Sequence, residues 1–126
     1  MNGGGVLLDS VILIDHLNGN AAATEYLRKV GRGAHISAIT RAEVLTGLDG
    51  EARRAAARFL DCFRFLPIDQ DVADLAATLR RLHGWKLPDA IQAATAQRHN
   101  LRLATRNTTD FDPDRQSFVV VPYLSS

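Results

Sequence analysis

Acidic side chains at the ends of apolar segments are the residues with the most chemistry to offer. Asp9 follows the run Val6–Leu8, and Glu43 lies shortly after Ala34–Ser37. Asp89 opens an Ala-rich stretch behind Pro88, and Asp110 follows Leu101–Thr105, with Asn107 just before it and Asp112 just after. Carboxylates held within a few ångströms repel and raise one another's pKa unless a cation neutralises them. Mg2+ and Mn2+ favour such hard oxygen donors. A metal held there lowers the pKa of water and stabilises charge on both the attacking and the leaving oxygen of a phosphoryl displacement. Phosphodiester hydrolysis follows naturally, and phosphomonoester hydrolysis would use much the same equipment. The acids are far apart in the chain, so their convergence must come from the fold.

Each acid also has a plainer role open to it. Asp9 sits between apolar runs, where a charge is expensive without compensation, and can be a hydrogen-bonded strand end. Thr40-Arg41-Ala42-Glu43 fits a capping box with Thr40 as cap, so Glu43 can cap, ligate metal or orient a water. Asp89 suits a first helical turn, where negative charge is favoured. Asp110 and Asp112 lie in Thr108-Thr109-Asp110-Phe111-Asp112-Pro113, which reads equally as a turn. Asp15 is expected to face solvent. Asp69, Asp71 and Asp74 look like helix-start residues. Other chemistries are weaker. His16, His35, His83 and His99 lack compact metal-ligand spacing, and no Gly-rich loop joins a strand to a helix. Cys62, the single cysteine, is expected as a buried thiol in an apolar helix, which excludes an intramolecular disulfide or a Cys-rich zinc site.

The elements that must position these groups alternate. Short apolar strands are expected at Val6–Leu8, Ala34–Ser37, Phe65–Ile68, Leu101–Thr105 and Phe118–Val121. Val11–Ile14 can extend the first strand or begin a helix. Helices are expected over Ala21–Val30 capped by Asn20, from Thr40 onward, over Glu51–Phe63 with Asp49 as cap, from Asp69 to Gly84, and over Asp89–His99 closed by Asn100. Strands that are apolar without clear alternation favour a mainly parallel sheet covered on both faces, an α/β class. In such sheets ligands gather beyond the carboxyl ends of the strands.

Composition sets bounds. The 126 residues suit one domain, 1–126. A net charge of +1 does not announce a nucleic-acid binder. The start, Met1-Asn2-Gly3-Gly4-Gly5, lacks the basic stretch of a secretory signal, and the Gly3–Gly5 run reads as a loose end. No apolar run approaches the eighteen or so residues that span a bilayer. A cytoplasmic protein without membrane contact is expected.

Four segments in order carry a resemblance: Leu8-Asp9-Ser10-Val11-Ile12-Leu13-Ile14-Asp15, Ile39-Thr40-Arg41-Ala42-Glu43-Val44-Leu45-Thr46-Gly47, Leu87-Pro88-Asp89-Ala90-Ile91-Gln92-Ala93-Ala94-Thr95-Ala96 and Leu103-Ala104-Thr105-Arg106-Asn107-Thr108-Thr109-Asp110-Phe111. Together they resemble the successive motifs of PIN-domain proteins, most of all the VapC toxins of bacterial type II toxin–antitoxin systems. The resemblance implies a three-layer α/β/α sandwich around a mainly parallel sheet of about five strands. It implies that Asp9, Glu43, Asp89 and Asp110 form an acidic Mg2+ site where Mn2+ can substitute, with Asn107 or Asp112 able to share the fourth position. Ser10 matches a small hydroxyl residue beside that site. Val11 departs from the family, many members of which carry a polar residue there, so one hydrogen bond around the site is lost.

The activity implied is that of a Mg2+-dependent endoribonuclease that cuts structured RNA such as tRNA or rRNA and stops translation. The implied partners are a second copy of the chain, a VapB-type antitoxin that wraps the toxin and often places a basic side chain near the acids, and operator DNA reached only through that antitoxin. A metal-dependent phosphatase and a non-catalytic PIN module that binds RNA or protein remain alternatives. Arg41 and Arg106 can steer phosphates or form surface salt bridges. Gln92, one turn after Asp89, can line the site or pack beneath it. Phe59, Leu60 and Phe63 read as core or as part of an antitoxin groove on the helices from Ala21 to Phe63. Trp85 reads as a base-stacking ring or as an anchor before Pro88.

Overall fold

The structure, a computed structural model, describes residues 5–124. Five strands, β1 (Val6–Leu8), β2 (His35–Ser37), β3 (Arg64–Leu66), β4 (Arg102–Ala104) and β5 (Val119–Val120), form one sheet in the order β3-β2-β1-β4-β5. Each neighbouring pair is parallel. The helices are α1 (Ser10–Leu17), α2 (Ala21–Val30), α3 (Ala38–Thr46), α4 (Gly50–Leu60), α5 (Gln70–His83) and α6 (Leu87–Arg98). Successive residues of a strand point to opposite faces, and here both faces are covered. Leu7 and Leu103 pack with Val72, Ala76 and Ala93 of α5 and α6. Their neighbours Leu8 and Ala104 pack with Ile12, Leu27, Val44 and Leu60 of α1 to α4. This is the expected α/β/α sandwich, and the double burial explains why the strands carry apolar residues without polar alternation.

The caps follow from sequence at several places. Asn20 accepts from Ala23 N at 3.0 Å and Asp69 from Val72 N at 2.9 Å. Gly84 ends α5 in the left-handed region, and Asn100, at φ 56°, turns the chain after α6. Val11–Ile14, open to strand or helix in the sequence, is helical: Asp9 caps α1, and Ile12 and Leu13 are buried while Ile14 is exposed. Other expectations need correction. Thr40 does not start α3. Ser37 is the cap, accepting from Thr40 N at 3.1 Å, so the capping-box reading of Glu43 falls away. Asp49 stands at the start of α4 without a side-chain cap bond. That helix ends at Leu60, so Cys62 lies in the turn beyond it and is exposed. Asp15 is buried, not solvated. Most of the Gly3–Gly5 run lies outside the described residues. No helix among the described residues is long and apolar enough to cross a membrane.

Leu7→Ala and Leu8→Ala, adjacent in sequence, empty opposite layers. Each should lower the unfolding free energy by about 2–5 kcal/mol. Urea titration at unchanged m-value checks this, and a loss under about 1 kcal/mol at either position would mean that its layer is not packed around it.

Candidate active site

The strand order creates the site. From β1 the chain moves outward through β2 to β3, then crosses back to place β4 on the other side of β1. Crevices at such a reversal are where open α/β sheets bind ligands. Asp9, Glu43 and Asp89 line one cavity of about 540 Å³ there, with Ser10, Val11, Arg106 and Asn107 in its walls. Asp9 follows β1 directly, Glu43 comes from α3 behind β2, Asp89 from the first turn of α6, and Asn107 from the loop after β4.

Asp9 is 6 % exposed, and a closed hydrogen-bond network holds its carboxylate. Oδ1 accepts from Ser10 N at 2.9 Å and Gln92 Nε2 at 3.1 Å; Oδ2 accepts from Thr105 Oγ1 at 2.6 Å. An ionised carboxylate only accepts, so the Gln92 amide nitrogen must face it. The other amide proton goes to Thr40 Oγ1 at 2.7 Å, and that hydroxyl donates to the Leu8 carbonyl at 3.1 Å. Gln92 Oε1 therefore faces Ser37, which donates to it at 2.6 Å and keeps a lone pair for capping α3. Thr105 Oγ1 in turn accepts from Asn107 N at 3.0 Å. Ser37, Thr40, Gln92 and Thr105 are all buried, and each polar group finds its partner. The network fixes one rotamer of Asp9 at the mouth of the crevice.

Nearer the surface the acids are less compensated. Glu43 is exposed and accepts from Ser10 Oγ at 2.7 Å. Asp110 accepts from Asn107 Nδ2 at 3.0 Å. Asp89 bears the strain of the group. Burial foremost, then the charge and hydrogen bonding of neighbouring Asp110, and lastly the charges of Asp9 and Glu43, push its carboxyl from the ordinary 3.8 up to about 6. The positive N-terminal ends of α1 and α6 offset part of this repulsion. A divalent cation would offset the rest, and the all-oxygen donor set suits Mg2+ or Mn2+. Among the described residues no three acidic, His or Cys side chains form a ready-made ligand cage. The arrangement therefore fits an ion held partly through its own waters, as Mg2+ commonly is, and not one caged by protein oxygens alone.

The remaining candidates separate. Arg106 lines the cavity, but Nε and Nη2 are engaged by Asp15 at 2.6 and 3.0 Å, and Tyr123 Oη donates to the same carboxylate at 2.8 Å. The Arg106 hydrogen bonds hold the Asp15 carboxyl below its ordinary value despite burial, which acts the other way, and Tyr123 adds to the lowering. Arg41 lies elsewhere, paired with Asp61 at 2.9 Å beside Phe65. Asp112 lines the next cavity and accepts from Asp114 N at 2.9 Å in a turn. Gln92 lies beneath the cavity, in contact with Asp9. Trp85 is buried as an anchor against Phe111. Sequence reasoning missed Ser37, Thr40, Thr105 and Tyr123 as partners of the site. A hydroxyl residue at the carboxyl end of a strand, the last of β2 (Ser37) or the first after β4 (Thr105), was the available signal.

Comparison with known proteins agrees with this fold. The family model described as PIN domain matches residues 6–112. The chain is 39% identical over 114 residues to Ribonuclease VapC10 of Mycobacterium tuberculosis (strain CDC 1551 / Oshkosh), covering 84% of this chain and 85% of the relative. It superimposes with TM-score 0.86 and 40% identity on a chain of a toxin–antitoxin complex from Klebsiella pneumoniae, over 95% of this chain and 99% of that one. It also superimposes with TM-score 0.75 and 28% identity on a chain of FitAB bound to an IR36 DNA fragment, over 96% and 98%.

Two measurements test the electrostatics. The folded Asp89 holds its proton up to a pH near 6, whereas an unfolded carboxyl ionises near 3.8. The folded state thus binds more protons between these values, and metal-free stability should fall as pH rises from about 4 to about 6 and level off above. Asp89→Asn should remove that slope and raise the melting temperature of the chelator-treated protein at neutral pH; an unchanged or lower one would contradict the repulsion. Gln92→Leu leaves Ser37, Thr40 and Asp9 short of partners, and should cost at least about 2 kcal/mol in urea titration.

Proposed function

Because the chain belongs to the PIN-domain family of VapC-type toxin–antitoxin ribonucleases, we propose that its acidic pocket hydrolyses RNA phosphodiester bonds with Mg2+, or Mn2+ in its place. The observation that carries this is the meeting of Asp9, Glu43 and Asp89 in one cavity, with Asp110 pressed against Asp89. Asp9, Asp89 and Asp110 would hold the metal, and Glu43 would ligate it or position the attacking water. When bound, the metal supplies an acidified water and stabilises charge on the phosphate oxygens.

The chain's own groups do the rest. The buried network under Asp9 spares the site reorganisation when the phosphate arrives. Ser10 orients Glu43 through Oε1 and leaves Oε2 to accept the proton of the attacking water. Asn107 fixes the Asp110 carboxylate against Asp89. Arg106, tied to Asp15 on one edge, keeps its remaining N–H groups for a backbone phosphate at the rim. Val11 makes one wall apolar, so orientation of waters falls to Ser10 and Asn107.

A VapB-type antitoxin is the partner that would silence this activity. The surface that supports its docking is an apolar groove of about 350 Å³ between α2 and the end of α4, where Leu27, Phe59 and Phe63 meet His16, with Arg28 and Arg32 at the edge. Phe59 and Phe63 are only partly buried, stacked edge to face at 5.3 Å, while Leu60 faces the core. In this reading the chain works as a homodimer in the cytoplasm, stops translation by cutting RNA such as tRNA or rRNA, and reaches operator DNA only through the antitoxin.

Asp9→Asn and Asp89→Asn should each reduce RNA cleavage in Mg2+ by roughly 100-fold or more, since losing even an outer partner of a metal site commonly costs 10- to 100-fold. Cut-site mapping in total RNA, beside a chelator control, measures it. Because Asp89→Asn is expected to melt higher than wild type without metal, its inactivity cannot be ascribed to unfolding. Equal cutting by all three proteins would refute the assignment.

A further inference from the structure

The loop 106–117 separates the acidic pocket from a second, polar cavity of about 400 Å³. Thr108 and Thr109 line both cavities, so the two share a rim. The far wall of the second cavity is the end of α5. There His83 and Trp85 lie stacked, ring centroids 4.1 Å apart and planes 15° apart. Trp85 meets the fully buried Phe111 edge to face at 5.1 Å, and Phe111 meets Phe118 at 6.4 Å. A column of aromatic rings thus rises from the core to the surface and ends in His83, which stays exposed although Trp85 covers one face of its ring.

The column is held in place. Gly84, at φ 72°, makes the tight reversal that lets its two neighbours overlap, a conformation that side chains rarely adopt. Arg80 Nη1 donates to the Trp85 carbonyl at 2.8 Å. The rest of the cavity offers donors and acceptors together. Arg115 has no ion-pair partner among the described residues. Asp112 accepts from Asp114 N through Oδ1, and Gln116 accepts from Asp112 N through Oε1, which leaves its amide N–H groups available. A rigid exposed ring beside both kinds of hydrogen-bonding group matches a flat molecule with a mixed edge. Asp110 and Asp112 make the cavity a poor site for a phosphate alone.

We propose that this cavity receives an unpaired nucleobase of the RNA, stacked on the free face of His83, next to the nucleotide whose phosphate enters the acidic pocket. The proposal rests on the nuclease reading of that pocket. It deepens that reading by naming what the enzyme grips beside the scissile bond. Stacking of this kind needs a base already splayed from its neighbours, so it selects loops, bulges and ends over continuous duplex.

Trp85 is the only tryptophan of the chain, so its indole N–H gives one isolated NMR cross-peak directly beneath the site. The full-length protein, in chelator to keep metal from drawing phosphate to the acids, is titrated with each of the four nucleoside monophosphates and with ribose 5-phosphate. At least one nucleotide should move the cross-peak saturably, and ribose 5-phosphate should not. His83→Ala should weaken that nucleotide's binding about tenfold or more, and His83→Phe, which keeps a stacking face, should hold it near the wild-type value. No base-dependent shift with any nucleotide, or unaltered binding by His83→Ala, would overturn the proposal. A parallel Mg2+ cleavage assay separates the two readings. Protein that cuts RNA without a base-dependent shift loses only the subsite, and protein that shows the shift without cutting loses the nuclease assignment.

Discussion

Three carboxylates cannot share one crevice, with a fourth pressed against one of them from the neighbouring cavity, without something to offset their repulsion, and most of this architecture answers to that constraint. Asp9 is compensated from below by a backbone N–H, an amide and a hydroxyl. Two helices begin at the crevice and bring their positive ends toward it. What these devices leave uncompensated falls on Asp89, whose environment favours the proton over the charge. A crevice so charged repels a further anion and attracts a cation.

The sheet order makes the assembly possible. With β1 central and its neighbours β2 and β4 reached by crossovers in opposite directions, side chains 83 and 96 residues from Asp9 become its direct partners. The layers were legible because parallel strands buried on both faces must be short and apolar throughout. Val6–Leu8, Ala34–Ser37 and Leu101–Thr105 read that way, and the polar residues Asp9, Ser37 and Thr105 stand at their carboxyl edges. The acids were therefore readable as a group from their places in the chain.

What was not readable depends on tertiary partners. Ser37 and Thr40 are both good caps by type; Ser37 wins because Thr40 is recruited by the Leu8 carbonyl and Gln92, neither of which is near in sequence. Asp15 looks solvated by its local polarity, yet Arg106 and Tyr123 arrive from the far end of the chain to pair it. Cys62 is exposed because α4 stops three residues sooner than its apolar pattern suggests, a boundary set by the turn into β3 and not by periodicity.

The Tyr123 hydroxyl reaches Asp15 across 108 positions of sequence, and Arg106 reaches it across 91. Closing so large a loop adds little entropic cost beyond closing a moderate one, but it imposes an order in time. During vectorial synthesis the acids nearest the start are made long before the arginine that borders their pocket, and the phenol that braces the arginine's counter-ion comes later still. On the ribosome, the rim of the crevice is finished only after position 123 has been made.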